Sequence, residues 1–284
     1  MILSLIVATL NRTSELSVLL ESIKNQKAES FGLEEIEVIL IDQNDDERLA
    51  PVIKAHEKNL LIRHIKVKVR GLSNARNIGL KEAKGKYVAF PDDDCFYEND
   101  VLERVISTFR RAQQNFGIFC MGMDPNSREP IFRYPSRPLT ISKAADHRVF
   151  LGIAWTQFFV TEKALAVGGF DVNLGLGGKW ESGEETDFAI RFLKSGGKIR
   201  FCPEIIVYHP LVVPETMALE KIKRYASGFG ALCRKQELRR HFVWKVFKQA
   251  VGFILCVLKG DRKRAMIFWN IAIARVSGYL QFKP

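Results

Sequence analysis

Asp92-Asp93-Asp94 stand together directly after the apolar stretch Tyr87–Phe90 and Pro91. Three adjacent carboxylates repel one another strongly in a dry site, and they are tolerated there when a divalent cation neutralises them. Mg²⁺ and Mn²⁺ take oxygen ligands, and Mg²⁺ is typically bound by one or two carboxylates together with phosphate oxygens. A diphosphate-bearing molecule is therefore the natural third party. Taken alone, the triplet reads equally well as a solvated acidic loop. A second acidic group, Glu184-Glu185-Thr186-Asp187, follows Ser182-Gly183 and opens a helical pattern. Acids are favoured at a helix N-terminus by its dipole, and a helix start facing a cleft would also offer a carboxylate able to take a proton.

The elements that must hold these groups alternate. Ile2–Ala8 reads as a buried strand, and Leu16, Leu19, Leu20 and Ile23 follow at helical spacing after Thr13 or Ser14 as cap. Glu37–Ile41 is a strand ending in Asp42, residues 49–58 a short helix, and Ile65, Val67 and Val69 a half-exposed strand. Ser73 caps a helix to Ala83, Tyr87–Phe90 is a strand, Asn99 caps the next helix, and Ile118–Met123 is a fifth strand. Asp124–Phe150 reads as loops or a short hairpin, with short strands at Lys198–Cys202 and Ile205–Tyr208. This order predicts an α/β fold with a mostly parallel sheet and flanking helices. Ligands of such sheets sit at the strands' carboxyl ends, where Thr9, Asn11 and Arg12, then Asp42, then Asp92–Asp94 are found.

The chain has 284 residues, 47% of them hydrophobic, enough for a full core and too many for a disordered or fibrous chain. Its net charge is +11, and residues 215–284 hold fifteen Lys/Arg against four Asp/Glu, so residues 1–214 are neutral. The five cysteines lack CxxC or CxxH spacing, which argues against a zinc site or a disulfide framework and fits a reducing compartment. The N-terminal apolar run is short and lacks a basic flank, so a first strand is expected there rather than a secretion signal. The longest wholly apolar run near the C-terminus, Ala250–Leu258, falls far short of the roughly 20 residues of a spanning helix.

Four ordered segments carry a family resemblance over residues 2–210. They are Val7–Arg12, Val38–Asp42, the stretch Gly71-Leu72-Ser73-Asn74-Ala75-Arg76-Asn77 leading to Gly85–Asp94, and Gly168-Gly169-Phe170-Asp171 with Gly183–Asp187. Together they resemble the family 2 glycosyltransferases, which have the GT-A (Rossmann-like) nucleotide-diphospho-sugar transferase fold. The resemblance implies a metal-dependent, inverting transfer of sugar from a nucleoside-diphosphate sugar, usually UDP-linked, to a hydroxyl acceptor. Bacterial surface polysaccharide or a lipid-linked saccharide is the implied setting. Thr9, Asn11 and Arg12 would border the nucleotide, Asp42 would bind the base, and Arg76 and Asp92 would lie beside the nucleotide. Asp93 would contact ribose. Asp94, with His209, would bind Mn²⁺ or Mg²⁺, although His209 also reads as a locally bonded strand-end imidazole. Glu185 stands at the position of the family's base, with Glu184, Asp187 and Trp180 on the acceptor side. Trp180 is an acceptor candidate because aromatic faces stack on sugar rings, whereas Trp155 fits core packing better.

The sequence departs from the family at Ala8 and Leu10, where Pro and Tyr are usual, and at Glu185, where Asp is usual. The nearest competing chemistry is a metal-dependent nucleotidyltransferase or diphosphohydrolase, which would want a Gly-rich or basic phosphate loop that residues 8–12 do not form. A nucleic-acid binder would interleave cations with aromatics on a known module, and here the cations flank apolar helices instead. The expected domains are 1–214, divided into a nucleotide-sugar half 1–123 and an acceptor half 124–214, and a basic amphipathic helical tail 215–284. That tail suits an anionic membrane surface, which would place the chain on the cytoplasmic face, and it also suits a homo-oligomer interface or a cover on the body.

Overall fold

The computed structural model describes residues 1–112, 115–211 and 217–283. The expected boundary between residues 214 and 215 lies outside the described residues. The chain forms two compact units. One comprises residues 1–70, 74–169 and 188–211, and the other comprises 71–73, 170–187 and the C-terminal helices.

The first unit is built on one mixed sheet. In chain order its strands are β1 Leu3–Thr9, β2 Ile36–Asp42, β3 Leu61–Lys66, β4 Tyr87–Ala89, β5 Phe96–Tyr97, β6 Phe116–Met123, β7 Leu139–Ile141, β8 Gln157–Val160 and β9 Lys198–Tyr208. Their spatial order is β3-β2-β1-β4-β8-β6-β9-β5, with β7 on β9. β1, β2, β3 and β4 pair in parallel, as do β6 and β9. β8 is inserted antiparallel between β4 and β6. Helices α1 Ser14–Lys24, α2 Ala50–His56, α3 Leu72–Glu82, α4 Val101–Arg111, α5 Thr161–Ala166 and α6 Glu184–Lys194 occupy the connections. β1 and β2 are buried almost throughout, with Leu3, Leu5, Val7, Val38 and Leu40 in a core shared with Leu16, Leu19, Leu20 and Ile23 of α1. Such two-sided burial is what near-continuous apolar strands require.

Several local expectations shift. β3 lies four residues earlier than its alternating valines suggest, because the parallel register with β2 runs from Glu37↔Leu61 to Asp42↔Lys66. The two late strands are one, β9, bulged between Cys202 and Ile206 against Cys120 and Met121. Thr13 occupies the N-cap of α1 without a side-chain cap bond, and Asp100, not Asn99, precedes α4. Ser73 sits inside α3 and donates its hydroxyl to the Leu174 carbonyl at 2.7 Å.

The second unit holds α7 Leu219–Lys235, α8 Arg239–Leu258 and α9 Arg262–Gln281. These helices pack with residues 170–187, so they are not a free tail. Ser182 Oγ donates to the Tyr225 carbonyl at 2.8 Å, and Leu174, Trp180 and Ala231 form a small core. α8 carries the Ala250–Leu258 run inside a 20-residue helix which, by length and composition, is long and apolar enough to cross a membrane.

Candidate active site

The sheet's connections bring the acidic triplet and His209 together. β4 ends at Ala89, Pro91 cannot continue a ladder, and Asp92 makes a lone parallel bridge to Ala8 at the end of β1. The Cys95 N–H closes a turn on the Asp92 carbonyl at 3.1 Å. The chain then runs into β5, whose Phe96 pairs antiparallel with Tyr208, so that the end of β9 lies beside the turn. His209 Nε2 stands 3.0 Å from Asp94 and 3.9 Å from Asp92. One donor atom from each of Asp92, Asp94 and His209 falls within 4.8 Å of the others. The imidazole is held flat against Trp155, ring centroids 5.0 Å apart and 10° from parallel. Trp155 is buried, as expected for core, and it also fixes the plane of this ring; no local pattern announces the contact.

Two arginines frame the triplet. Asn11 adopts a left-handed φ of 61° and donates its N–H to Asn44 Oδ1 at 2.7 Å; Asn tolerates this conformation better than most side chains. The turn sends Arg12 to an ion pair with Asp94, and its Nη1 lies 3.3 Å from Asp93. Buried Arg76 reaches Asp92 at 2.7 Å from α3.

The surroundings separate the three acids electrostatically. Burial pushes the Asp93 carboxyl up to about 6, against the pull of the Thr9 hydroxyl and Arg12. Burial would also raise Asp94, but His209 and then Arg12 outweigh it and hold that carboxyl at about 2. Burial alone would lower His209; the hydrogen bond to Asp94 and the charge of Asp92 raise it instead. Two carboxylates and an imidazole are a donor set that suits Mn²⁺, and the imidazole suits Mg²⁺ less. A ligating imidazole must be neutral, so His209 would hold a cation here only in its unprotonated form.

Asp42, the acid expected to bind the base, is enclosed. It is 1% exposed. Its Oδ1 accepts from the Asn44 backbone N–H at 2.8 Å and side-chain amide at 2.7 Å, and its Oδ2 lies 3.0 Å from His64 Nε2. A relay thus runs from His64 through Asp42 and Asn44 to Asn11. His64 escaped the sequence reading because only the parallel β2–β3 register brings it near Asp42.

The acceptor-side candidates lie in the second unit. Glu185 is half-exposed in the first turn of α6. Glu184 is buried against Gly175, where an added Cβ would come within 2.9 Å of its Cδ. Asp187 is fully buried, accepting from Gln236 Nε2 at 2.6 Å and pairing with Lys235 at 2.8 Å. It is a structural anchor and not an accessible base. Trp180 is likewise no open platform: its ring is buried with Leu174 and Ala231.

The comparisons with known proteins agree with this architecture. Residues 4–164 match the model of "Glycosyl transferase family 2", more than half of the chain, and the chain belongs to that family. A hyaluronan synthase of Pasteurella multocida is 39% identical over 94 residues, 32% of this chain and 9% of that protein. Other curated relatives, named only as uncharacterised glycosyltransferases from Rickettsia bellii and Haemophilus influenzae, are spanned over 13% and 62% of their lengths. Among solved structures, S. aureus TarS 1-349 in complex with UDP-GlcNAc superposes with a TM-score of 0.66 at 18% identity, over 96% of this chain and 81% of that one. The mannosyltransferase PcManGT of Pyrobaculum calidifontis, in complex with GDP-Man and Mn²⁺, gives 0.64 at 15% identity over 98% and 87%. The fold is therefore that of the GT-A glycosyltransferases.

Proposed function

We propose that the chain is an inverting glycosyltransferase that moves a sugar from a nucleoside-diphosphate sugar, UDP-linked by its motifs, to a hydroxyl of a glycan or lipid-linked saccharide. The observation that carries this reading is the convergence of Asp92, Asp94 and His209 at the carboxyl ends of β1, β4 and β9, framed by Arg12 and Arg76. Asp94 and His209, with Asp92, would hold the cation. When bound, a divalent cation there neutralises charge on the diphosphate. Arg12 and Arg76 hold the carboxylates in place and add positive charge beside the phosphates. Asp93 receives the ribose, and Thr9, Asn11 and the Asp42 relay shape the base side.

Glu185 is assigned as the base, by its motif position and its half-exposed place at the helix start. The acceptor hydroxyl gives its proton to the Glu185 carboxylate. Its oxygen then bonds to the anomeric carbon, while the bond from that carbon to the phosphate oxygen breaks and the nucleoside diphosphate leaves with the electron pair. A single displacement of this kind inverts the anomeric centre and needs no second nucleophile.

The test is release of nucleoside diphosphate from a panel of UDP- and GDP-sugars with Mn²⁺, with and without saccharide acceptors. Acceptor-dependent release should stop with chelator, resume on adding Mn²⁺, and be lost in folded Asp94→Asn. Undiminished release in excess chelator would overturn the metal assignment, and release indifferent to every acceptor would point to hydrolysis.

A further inference from the structure

α8 and α9 form an antiparallel hairpin. Arg275 Nη1 donates to the Lys245 carbonyl at 3.1 Å, and Phe253 packs on Trp269 with ring centroids 5.2 Å apart. α7 covers the C-terminal half of α9, through Gly230 against Arg275 and Ser227 against Gly278. The opposite end of the hairpin, around Gly260, extends beyond these contacts.

The surface of this hairpin is unusual for a water-facing one. Of the 22 exposed large apolar side chains among the described residues, 13 lie between Val243 and Leu280, so the exposure is concentrated here and not scattered. Leu258 is 78% exposed at the end of α8, and Trp244 and Trp269 are 53% and 51% exposed. Near the turn, a cavity of about 560 Å³ is lined by Phe253, Val257, Met266 and Trp269, with Arg262 also in its wall. Lys259, Arg262, Lys263 and Arg264 are exposed around the same turn. From residue 239 to residue 283 the chain has ten Lys/Arg and one acid, Asp261.

We infer that this hairpin is a docking surface for an anionic phospholipid bilayer, lying in the headgroup layer with its apolar side chains in the acyl boundary. Charge decides between this occupant and a second copy of the chain. A two-fold contact through the same face would set ten cations on each copy against ten on the other, with only Asp261 of each copy to answer them. Anionic headgroups answer them directly, and exposed tryptophans suit the boundary between headgroups and acyl chains. The position of the charges also sets the depth. α8 is long enough to span, yet Lys245 and Lys248 lie within it, and Lys248 Nζ sits 5.2 Å from the Trp244 ring centre. Lysines so placed reach the headgroup layer when the helix lies flat. The inference stands independently of the transfer reaction.

The experiment uses the full chain with phosphatidylcholine vesicles and with equimolar phosphatidylcholine–phosphatidylglycerol vesicles. Co-sedimentation should occur with the anionic vesicles and weaken with salt. Tryptophan emission should shift to the blue on binding, and since Trp155 and Trp180 are already buried, the shift reports on Trp244 and Trp269. Each surface cation contributes about fivefold in partitioning, so Lys259→Gln, Arg262→Gln and Lys263→Gln together should weaken binding about a hundredfold. Ile254→Glu with Leu258→Glu, both at exposed positions, should abolish the emission shift without changing the circular dichroism. Equal binding to neutral vesicles, binding to neither, or a concentration-dependent dimer that the Ile254/Leu258 variant dissolves would each overturn the inference. Retention on the anionic vesicles through alkaline carbonate extraction would overturn the flat placement in favour of a spanning helix.

Discussion

His64 and Asp42 show how a residue without a motif can govern one that has it. The Asp42 carboxylate is enclosed and accepts from Asn44, which in turn accepts from the Asn11 N–H; in the proposed function it would act on the nucleotide side through these two residues. Removing His64 leaves Asp42 Oδ2 without its partner, at a cost of about 1–3 kcal/mol for an unsatisfied buried acceptor. His64→Leu should therefore raise the donor KM about tenfold and leave kcat near the wild-type value, and His64→Gln, which keeps a donor, should restore much of the loss. A KM unchanged in His64→Leu would show that the relay does not shape the donor site. Glu185 gives the complementary pattern. Glu185→Gln keeps the size and removes the basicity, so the transfer rate at saturating donor should fall about 10²–10⁴-fold with donor affinity retained. Glu184, enclosed against Gly175, should cost activity only as far as its loss disturbs the fold. A larger catalytic loss in folded Glu184→Gln than in Glu185→Gln would reverse the assignment.

Among the elements, the start of α6 depends on the end of α7. Lys235 pairs with Asp171 at 2.7 Å and with fully buried Asp187 at 2.8 Å. Breaking a buried pair from one side typically costs about 3–5 kcal/mol, because the remaining charge is stranded. Lys235→Met should lower stability by about that amount in urea denaturation at neutral pH, and a loss within experimental error would show that the other partners of Asp187, Gln236 among them, suffice without the lysine. Burial alone would raise Asp171, but Lys235 holds it below its ordinary 3.8. Its contribution is complete above that value and fades as pH falls through the lower folded one. The wild-type advantage over Lys235→Met should thus shrink in acid. The alternation of β1 to β4 was legible because the apolar runs keep their own periods and Asp42, Gly85 and Pro91 close β2, α3 and β4. β8 was not, since Gln157–Val160 follows Ala154-Trp155 without a turn signal and its antiparallel insertion is a tertiary choice. The triplet, Arg12 and Glu185 were legible as motif positions. The stacking of Trp155 on His209 and the enclosure of Asp42, Asp187 and Trp180 follow from packing that spacing does not encode.

On the scale of the whole molecule, charge and packing divide the chain differently. Charge changes near residue 215, whereas packing groups residues 170–187 with the C-terminal helices. The joint holding α7 to α9 is a close backbone approach between small residues. A Cβ added at Gly278 would lie 1.9 Å from the Ser227 carbonyl oxygen, and one at Gly230 would lie 2.0 Å from that of Arg275. Neither obstacle is a flexible side-chain tip, so a larger residue must push the helices apart. Gly278→Val should therefore loosen the second unit as a whole. Separating α7 from α9 weakens the support of Ala231 on Leu174 and Trp180 and of Lys235 on Asp171 and Asp187, all in the same unit. The donor-side candidates Asp42, Asp93, Asp94 and His209 belong to the other unit. The expected result is an early unfolding transition absent from the wild type, with transfer lost below the temperature at which Mn²⁺-dependent donor binding is lost. Gly278→Ala, with the smallest Cβ, should show the same order with a smaller shift. A single transition in Gly278→Val, with transfer and donor binding lost together, would show that the two units unfold as one cooperative block.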